Sequence, residues 1–211
     1  MAETGQELGQ NLRGFRRFHS SLGLMLQTAD GLMGEQAWSS TGSACTADAK
    51  YTVNSAPLWV PRELVRMYTC ARRPDVMAMI AVLLDDHARE YRLPEPVIIA
   101  SCFMYPGNIP KDWSTDYAGC HWFGRLSVPS DGSLCHVDTG HRLWRKDLKW
   151  TVMEVFGWPL VEIIDADRLH DRVITRLLAM LAKLPLMEQK TDPDPGAIEP
   201  VQPRIGGEGQ P

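Results

Sequence analysis

The chain has 211 residues, of which 44% are apolar and 23% are charged, and its formal net charge is -4. These values exclude a wholly disordered or fibrous protein, and a chain of this length can bury a core without disulfides or metal ions. The weak acidic balance also argues against an obligate nucleic-acid binder, which normally carries a strong basic excess.

The sequence gives no sign of export or of a membrane span. Residues 76–84 form the longest apolar stretch, which is far too short to cross a bilayer. The first seven residues are polar and slightly acidic, unlike a secretory signal. The cysteines form an odd set with irregular gaps, which does not indicate a disulfide framework: Cys45, Cys70, Cys102, Cys120 and Cys135. We therefore expect a cytoplasmic protein in a reducing compartment.

Residues 3–34 are predicted to form one long helix. Their apolar positions recur at alternating steps of four and three once His19 is included. The members of this stripe are Leu8, Leu12, Phe15, His19, Leu22, Leu26, Ala29 and Met33. Such a stripe can serve a coiled coil, but Phe18, Leu24 and Met25 widen it, so we expect it to pack on a sheet. His19 is expected to be a hydrogen-bonded core histidine.

The middle of the chain is predicted to hold a loop, a second helix and two strands. Residues 36–57 are small and polar without a sustained period, which indicates a long loop. Residues 61–72 are predicted to form a helix, because a proline opens them and another follows them. Residues 76–84 fit a helix or a buried strand, and we predict a strand. Residues 97–105 form a clearer strand.

A β-hairpin centred on Asp131-Gly132 is the strongest local signal. Residues 121–128 and 133–139 alternate between apolar and polar on either side of this dipeptide. A two-residue turn sets a register in which Arg125 lies opposite Asp138. One face is then apolar and expected in the core: Leu126, Val128, Cys135 and Val137. The other face carries the polar residues His121, Arg125, His136 and Asp138 together with Phe123.

The C-terminal part is predicted to contain a helix over residues 142–156, a short strand over 160–164 and a last helix capped by Asp165. The last helix carries an apolar face: Leu169, Val173, Ile174, Leu177, Leu178 and Leu181. Residues 185–211 are rich in proline, glycine and acidic side chains, which predicts a disordered tail.

The sequence therefore predicts a single α+β domain over residues 1–184. We expect a small, mainly antiparallel sheet packed against the long N-terminal helix and two C-terminal helices.

The polar hairpin face is the candidate catalytic site, with His121, Arg125, His136 and Asp138 as its chemical groups. These side chains suit acid–base catalysis or phosphate binding, but a solvated sheet face has the same composition. We expect no bound metal, because neighbouring residues of a strand point to opposite sides and Cys135 cannot share an ion with His136. No cofactor is expected either, since the phosphate-binding and dinucleotide-binding glycine motifs are absent from the sequence.

Two features indicate binding to a partner. The chain has seven tryptophans, a residue type that often anchors interfaces, and Trp113 is the leading example. Residues 141–150 interleave basic and aromatic side chains, of which Trp144, Arg145 and Lys149 are the candidates for contact. Basic residues also recur on the first helix at Arg13, Arg16 and Arg17, where they can equally form a wet face.

The sequence favours a non-catalytic interaction module, an accessory or adaptor subunit that docks on a protein partner. One alternative is a hydrolase that acts on a phosphate ester or a similar bond through the polar hairpin face. Another is nucleic-acid contact through residues 141–150, which would weaken steeply with salt.

Overall fold

The computed structural model describes residues 5–46, 63–84, 95–109, 131–138, 152–163 and 165–185. Within these ranges the chain forms two helices and one six-stranded antiparallel sheet. The helices are α1 (Gly5–Glu35) and α2 (residues 166–183), and α2 includes a π-helical turn at His170–Ile174. The strands are β1 (Ser39–Thr46), β2 (Glu63–Cys70), β3 (Arg73–Leu83), β4 (Val97–Met104), β5 (Cys135–Asp138) and β6 (Val152–Pro159). The predicted α+β class is confirmed, with one C-terminal helix rather than two.

The sheet has the strand order β1-β2-β3-β4-β6-β5, and every neighbouring pair is antiparallel. The first four strands form a meander, in which each strand pairs with the next along the chain. The order then changes, because β6 pairs with β4 on one side and with β5 on the other. The short strand β5 therefore lies at one edge of the described sheet.

Four elements were predicted wrongly. Strand β2 replaces the predicted helix over residues 61–72, and β6 occupies the end of the predicted helix over 142–156. Strand β1 lies inside the predicted loop over 36–57, and a 3-10 turn at Leu160–Glu162 stands where a strand was expected. The common reason is pairing, because β2 and β6 each bond to a strand on both sides, which outweighs weak local helix preference. The strands over 76–84 and 97–105 are confirmed.

Both helices pack on the same face of the sheet. This face contributes Tyr68, Ile80, Ala100 and Phe156, which belong to one buried cluster with apolar residues of α1 and α2. The cluster includes Leu22, Leu26, Ala29 and Met33 of α1, and Leu169, Val173, Ile174, Leu177 and Leu181 of α2. The predicted last helix and its apolar face are therefore confirmed. Its first turn is capped as predicted, since Asp165 Oδ1 accepts a hydrogen bond of 2.7 Å from the backbone N–H of Arg168.

Backbone hydrogen bonds close the C-terminal end of α1, and two of them define its turn. The N–H of Trp38 donates to the carbonyl of Met33 and the N–H of Ala37 donates to that of Gly34, with Ala37 at a positive φ of 63°. This is the Schellman arrangement, which usually has glycine at the left-handed position. It turns the chain sharply, so that the buried Trp38 packs into the core just before β1 begins.

The C-terminal end of α2 is held by Arg73 at the start of β3. Arg73 makes two hydrogen bonds to the Asp75 carboxylate, at 3.0 and 3.1 Å, and donates to the carbonyls of Leu184 and Pro185. The contacts of the folded body thus reach Pro185, one residue beyond the predicted boundary. The rest of the predicted tail, residues 186–211, lies outside the described residues.

Asp30 connects the second half of α1 to β2. Its Oδ1 accepts a hydrogen bond of 3.1 Å from the Tyr68 hydroxyl, and its Oδ2 lies 2.8 Å from Nη2 of Arg66. Tyr68 is fully buried, and this burial, aided by the negative charge of Asp30, raises the pKa of the phenol far above its ordinary value. The Tyr68 proton therefore stays in place as a hydrogen-bond donor to Asp30.

We predict that Asp30→Ala lowers the free energy of unfolding by about 2–3 kcal/mol, because it leaves a buried hydroxyl and a mostly buried guanidinium without their acceptor. At this chain length the loss corresponds to roughly 5–10 °C in melting temperature, measurable by circular dichroism. Glu35→Ala, which removes an exposed carboxylate from the same helix, is the matched control and is expected to change stability by less than about 0.5 kcal/mol. Equal melting temperatures for the two variants would contradict the assignment.

Candidate functional site

The apolar stripe of α1 is buried over only half of its length. Leu22, Leu26, Ala29 and Met33 pack into the core, as the sequence predicted. The first half remains open to solvent, with Leu8 at 51%, Leu12 at 55%, Phe15 at 44% and Phe18 at 40% exposed. We call these four side chains the N-terminal stripe. The predicted packing on a sheet is therefore confirmed from Leu22 onward and wrong for the residues before it.

The solvated side of the same half-helix is basic. With about 3.6 residues per turn, Arg13 and Arg17 lie opposite the N-terminal stripe and Arg16 lies on its flank. All three side chains are exposed. The first half of α1 is thus amphipathic, with its apolar side uncovered by the described residues and its basic side facing water.

Glycines make the first half of α1 a weak helix by itself. Gly5, Gly9 and Gly14 lie in it, and each interior glycine is less favourable than alanine by roughly 0.5–1 kcal/mol. In the part of the chain that the structure describes, no atom lies within 4 Å of a Cβ placed on Gly5 or Gly14, so close packing there does not require either glycine. A helix as short as this first half is only marginally stable by itself in water. The first half of α1 is therefore stabilised as a helix because it continues into the packed second half, and any partner that covers the N-terminal stripe would stabilise it further.

His19 lies between the exposed and the packed halves of α1. Its ring centroid is 4.2 Å from that of Phe15 and 5.6 Å from that of Phe18, both from the same helix. Its Nε2 atom is buried and has no hydrogen-bond partner among the described residues. The prediction that His19 is a hydrogen-bonded core residue is thus wrong for this nitrogen. The ring instead packs against Phe15 and Phe18.

An apolar groove of about 440 Å³ lies beside Phe18, between α1 and the segment that leads into α2. Leu24 and Val161 stand on its two sides and are 64% and 67% exposed. The polar groups in the groove already have partners, because Thr28 donates to the backbone of Leu24 and Asp165 caps α2. The other lining residues are Ser21, Leu22, Met25, Pro96, Leu160, Ile163, Ala166 and Leu169.

A second group of polar side chains lies at the β5 edge. His136 is directly opposite Glu154 of β6, which is in turn opposite Cys102 of β4, so the three residues form a row on one face. The distance from His136 Nδ1 to Glu154 Oε1 is 3.4 Å, and the two side chains are 58% and 19% exposed. Since Cys102 belongs to the core cluster, this row lies at the margin of the helix-covered face.

The row can move a proton but does not offer an activated nucleophile. Burial, aided by the charge of Glu154, raises the pKa of Cys102 to about 12, which keeps its thiol protonated at neutral pH. His136 beside a carboxylate is a reasonable proton acceptor. Glu154 was not predicted as a site residue, because it fell inside the wrongly predicted helix over 142–156. Its position opposite a histidine could be found only once β6 was known to pair with β5.

The structure brings together only part of the predicted site. His136 and Asp138 both lie on β5, two residues apart. The predicted partners His121 and Arg125 lie outside the described residues. The same holds for the candidate contact residues, which are Trp113, Trp144, Arg145 and Lys149. The catalytic and partner-binding roles of these residues stay predictions.

The predicted Asp131-Gly132 turn is fixed against β6. Gly132 has a positive φ of 83°, and its N–H donates to the Gly157 carbonyl at 2.9 Å. Asp131 Oδ1 accepts a hydrogen bond of 2.8 Å from the N–H of Ser133. A Cβ atom on Gly132 would lie 2.2 Å from the ring of Trp158. The glycine is thus required by its backbone angle and by contact with the indole.

We predict that Gly132→Ala lowers the free energy of unfolding by at least about 2 kcal/mol, through left-handed strain and displacement of the Trp158 ring. Chemical denaturation followed by tryptophan fluorescence measures the loss. Gly107→Ala is the matched control, because Gly107 is exposed and has no atom within 4 Å of an added Cβ. If both substitutions cost the same, the docking of the turn on Trp158 is not important for stability.

His136→Ala is expected to change the free energy of unfolding by less than about 1 kcal/mol, because an exposed imidazole paired at 3.4 Å contributes little. Thermal melting at neutral pH checks this. A larger loss would show that the row at the β5 edge has a structural role, and the variant could then not be used as a clean test of catalysis.

Comparison of the chain with models of protein families, with curated proteins and with solved structures finds no match. Within the described ranges, no helix is long and apolar enough to cross a membrane. In that same part of the chain, no three His, Cys, Asp or Glu side chains are grouped as metal ligands. The local geometry is therefore the basis for a functional proposal.

Proposed function

We propose that this protein is a non-catalytic interaction module, an accessory or adaptor subunit that docks on a protein partner through the N-terminal stripe of α1. The observation that carries the proposal is the change in burial along one continuous stripe. The same spacing of apolar residues that packs on the sheet from Leu22 onward is exposed at Leu8, Leu12 and Phe15.

Contiguity separates this surface from ordinary exposed hydrophobic residues. Single exposed leucines are common on protein surfaces and need no explanation. Here four large apolar side chains lie on adjacent turns of one helix, and each is at least 40% exposed. An amphipathic helix that presents anchors three and four residues apart is a frequent means of protein recognition. Covering these side chains would remove apolar surface from water at about 25 cal/mol per Å².

The distribution of charge supports a protein partner over nucleic acid. Phosphates would approach the basic side of α1, at Arg13 and Arg17, and would leave the N-terminal stripe in water. Three exposed arginines are also few for a binding mode that depends on neutralising several phosphates. Contact through residues 141–150 remains the alternative, and steep weakening with salt is its discriminator.

The hydrolase alternative is supported by a single contact, between His136 and Glu154. An exposed imidazole beside a carboxylate is common on protein surfaces, and the buried thiol of the same row is kept protonated. We therefore favour docking through the N-terminal stripe over hydrolysis at the β5 edge.

Site-specific photocrosslinking tests the proposed docking surface. We predict that a photoreactive amino acid at position 12 forms a covalent adduct with protein in native lysate, because Leu12 is at the centre of the N-terminal stripe. The same group at position 17, on the opposite side of the helix, is the matched control and is expected to give little adduct. Gel mobility and mass spectrometry measure both yields and identify the adduct.

Equal yields at the two positions, or no adduct at position 12, would contradict the proposal. Melting curves of both labelled proteins confirm that the body remains folded. This check is reliable because residues 12 and 17 are exposed and lie outside the buried core.

A further inference from the structure

We infer that the partner of the N-terminal stripe is a second copy of this chain, with the first halves of two α1 helices packed side by side and antiparallel. This inference rests on the proposed docking function and names its occupant.

The spacing of the stripe fits an identical helix. Leu8, Leu12, Phe15, His19 and Leu22 follow one another at steps of four, three, four and three. The mean step of 3.5 residues is the seam of a two-stranded coiled coil, in which each helix supplies the same kind of surface. The pattern continues without a break into Leu26, Ala29 and Met33, where the sheet and α2 of the same chain cover it.

The sheet determines the direction of the second helix. From Leu22 onward the seam side of α1 is covered by the body of the same chain. In a parallel pair, the sheet and α2 of both copies would have to fit between the two α1 axes, which lie only about 8–10 Å apart in packed helices. In an antiparallel pair, the bodies lie at opposite ends of the paired region and do not meet. The orientation thus follows from steric exclusion.

One register uses the whole open seam. If residue numbers facing each other sum to 27, Leu8 of one copy faces His19 of the other, and Leu12 faces Phe15. Gly5 of one copy then faces Leu22 of the other, where the folded body of that other copy begins and leaves little room. A glycine at this end allows the helix to approach the body closely.

The charged side chains fit the same register. Arg13 and Arg17 point away from the seam and stay in water. Arg16 lies beside the seam at the level of residue 11 of the second copy, so it does not face its own counterpart. The arrangement has a two-fold axis, so it closes as a dimer and leaves no stripe open for further copies.

The paired region is short, so we expect reversible association. Four partly exposed apolar side chains per copy bury on the order of a few hundred Å², which lies at the low end for specific interfaces. A histidine in the seam also lowers stability relative to an apolar residue. The dimer should therefore form and dissociate with protein concentration.

Sedimentation velocity of the full chain over a concentration series is the primary test. We predict that the mass rises from one chain to two as concentration increases. Leu12→Asn should weaken self-association by about 30-fold or more, the equivalent of about 2 kcal/mol at an interface anchor. Leu24→Asn is the matched control, because it alters a leucine that is as exposed on the same helix but lies off the seam. It should leave association unchanged, and melting curves confirm that both variants fold.

Engineered cysteines test the orientation. A chain with Leu12→Cys and Phe15→Cys should form disulfides between copies, because these positions face each other in the antiparallel register. Leu8→Cys alone should not, since the two equivalent positions are separated by eleven residues, or about 16 Å, far beyond the roughly 7 Å limit between Cα atoms. Peptide mapping separates these bridges from those of the native cysteines. An efficient Leu8 bridge would show a parallel pair and overturn the inferred orientation.

The outcomes separate this inference from the proposed function. A chain that stays monomeric at every concentration, yet crosslinks from position 12 to a different protein, overturns the second-copy inference and supports the docking function. A monomer without any adduct overturns both. Binding of the monomer to vesicles of anionic lipid, lost in Leu12→Asn, would also overturn the inference, because the stripe would then be a membrane contact.

Discussion

The hydrogen bond that Asp30 accepts from Tyr68 and its ion pair with Arg66 anchor α1 to β2 and so restrict its position along the sheet. An apolar stripe with a regular period could slide along an apolar sheet by one turn at little loss of contact area, but a carboxylate that meets a buried hydroxyl cannot. Fixing Asp30 fixes Leu22 as the first buried residue of the stripe. Everything before Leu22 extends past the body, so the first half of the helix is exposed while the half anchored through Asp30 is buried.

The sequence predicted α1 correctly because its period is a local property that extends over thirty residues. It predicted β3 and β4 because their short apolar runs are bounded by turns. It failed for β2 and β6, where apolar residues at adjacent and alternate positions satisfy a helix and a strand equally. Val65 and Met67 point to one side of a strand but also fit one side of a helix, and only pairing with β1 and β3 decides between them. The sequence of one segment does not predict which other strands it will pair with.

The candidate site was predictable in its chemistry but not in its exposure. The spacing of Leu8, Leu12 and Phe15 gave the stripe, but packing on the body holds only from Leu22 onward, and these three side chains are exposed. The point of division depends on the width of the sheet and on where the Asp30 anchor falls, which are properties of the assembled fold. In the same way, the contact between His136 and Glu154 required the pairing of β5 with β6, whereas the local sequence indicated a partner for β5 only from the other side of the hairpin.

The glycines of α1 and the position of the body act together on specificity. Because Gly5, Gly9 and Gly14 weaken the first half of the helix, the proposed docking would use part of the gain from covering the stripe to order it, which would lower affinity and keep docking reversible. The body that covers the seam from Leu22 onward excludes any helix that approaches in parallel beyond that point. The proposed docking would therefore require a partner with a short apolar seam and free space at its far end. The first half of a second α1 has this shape, since its own seam ends after the same number of turns.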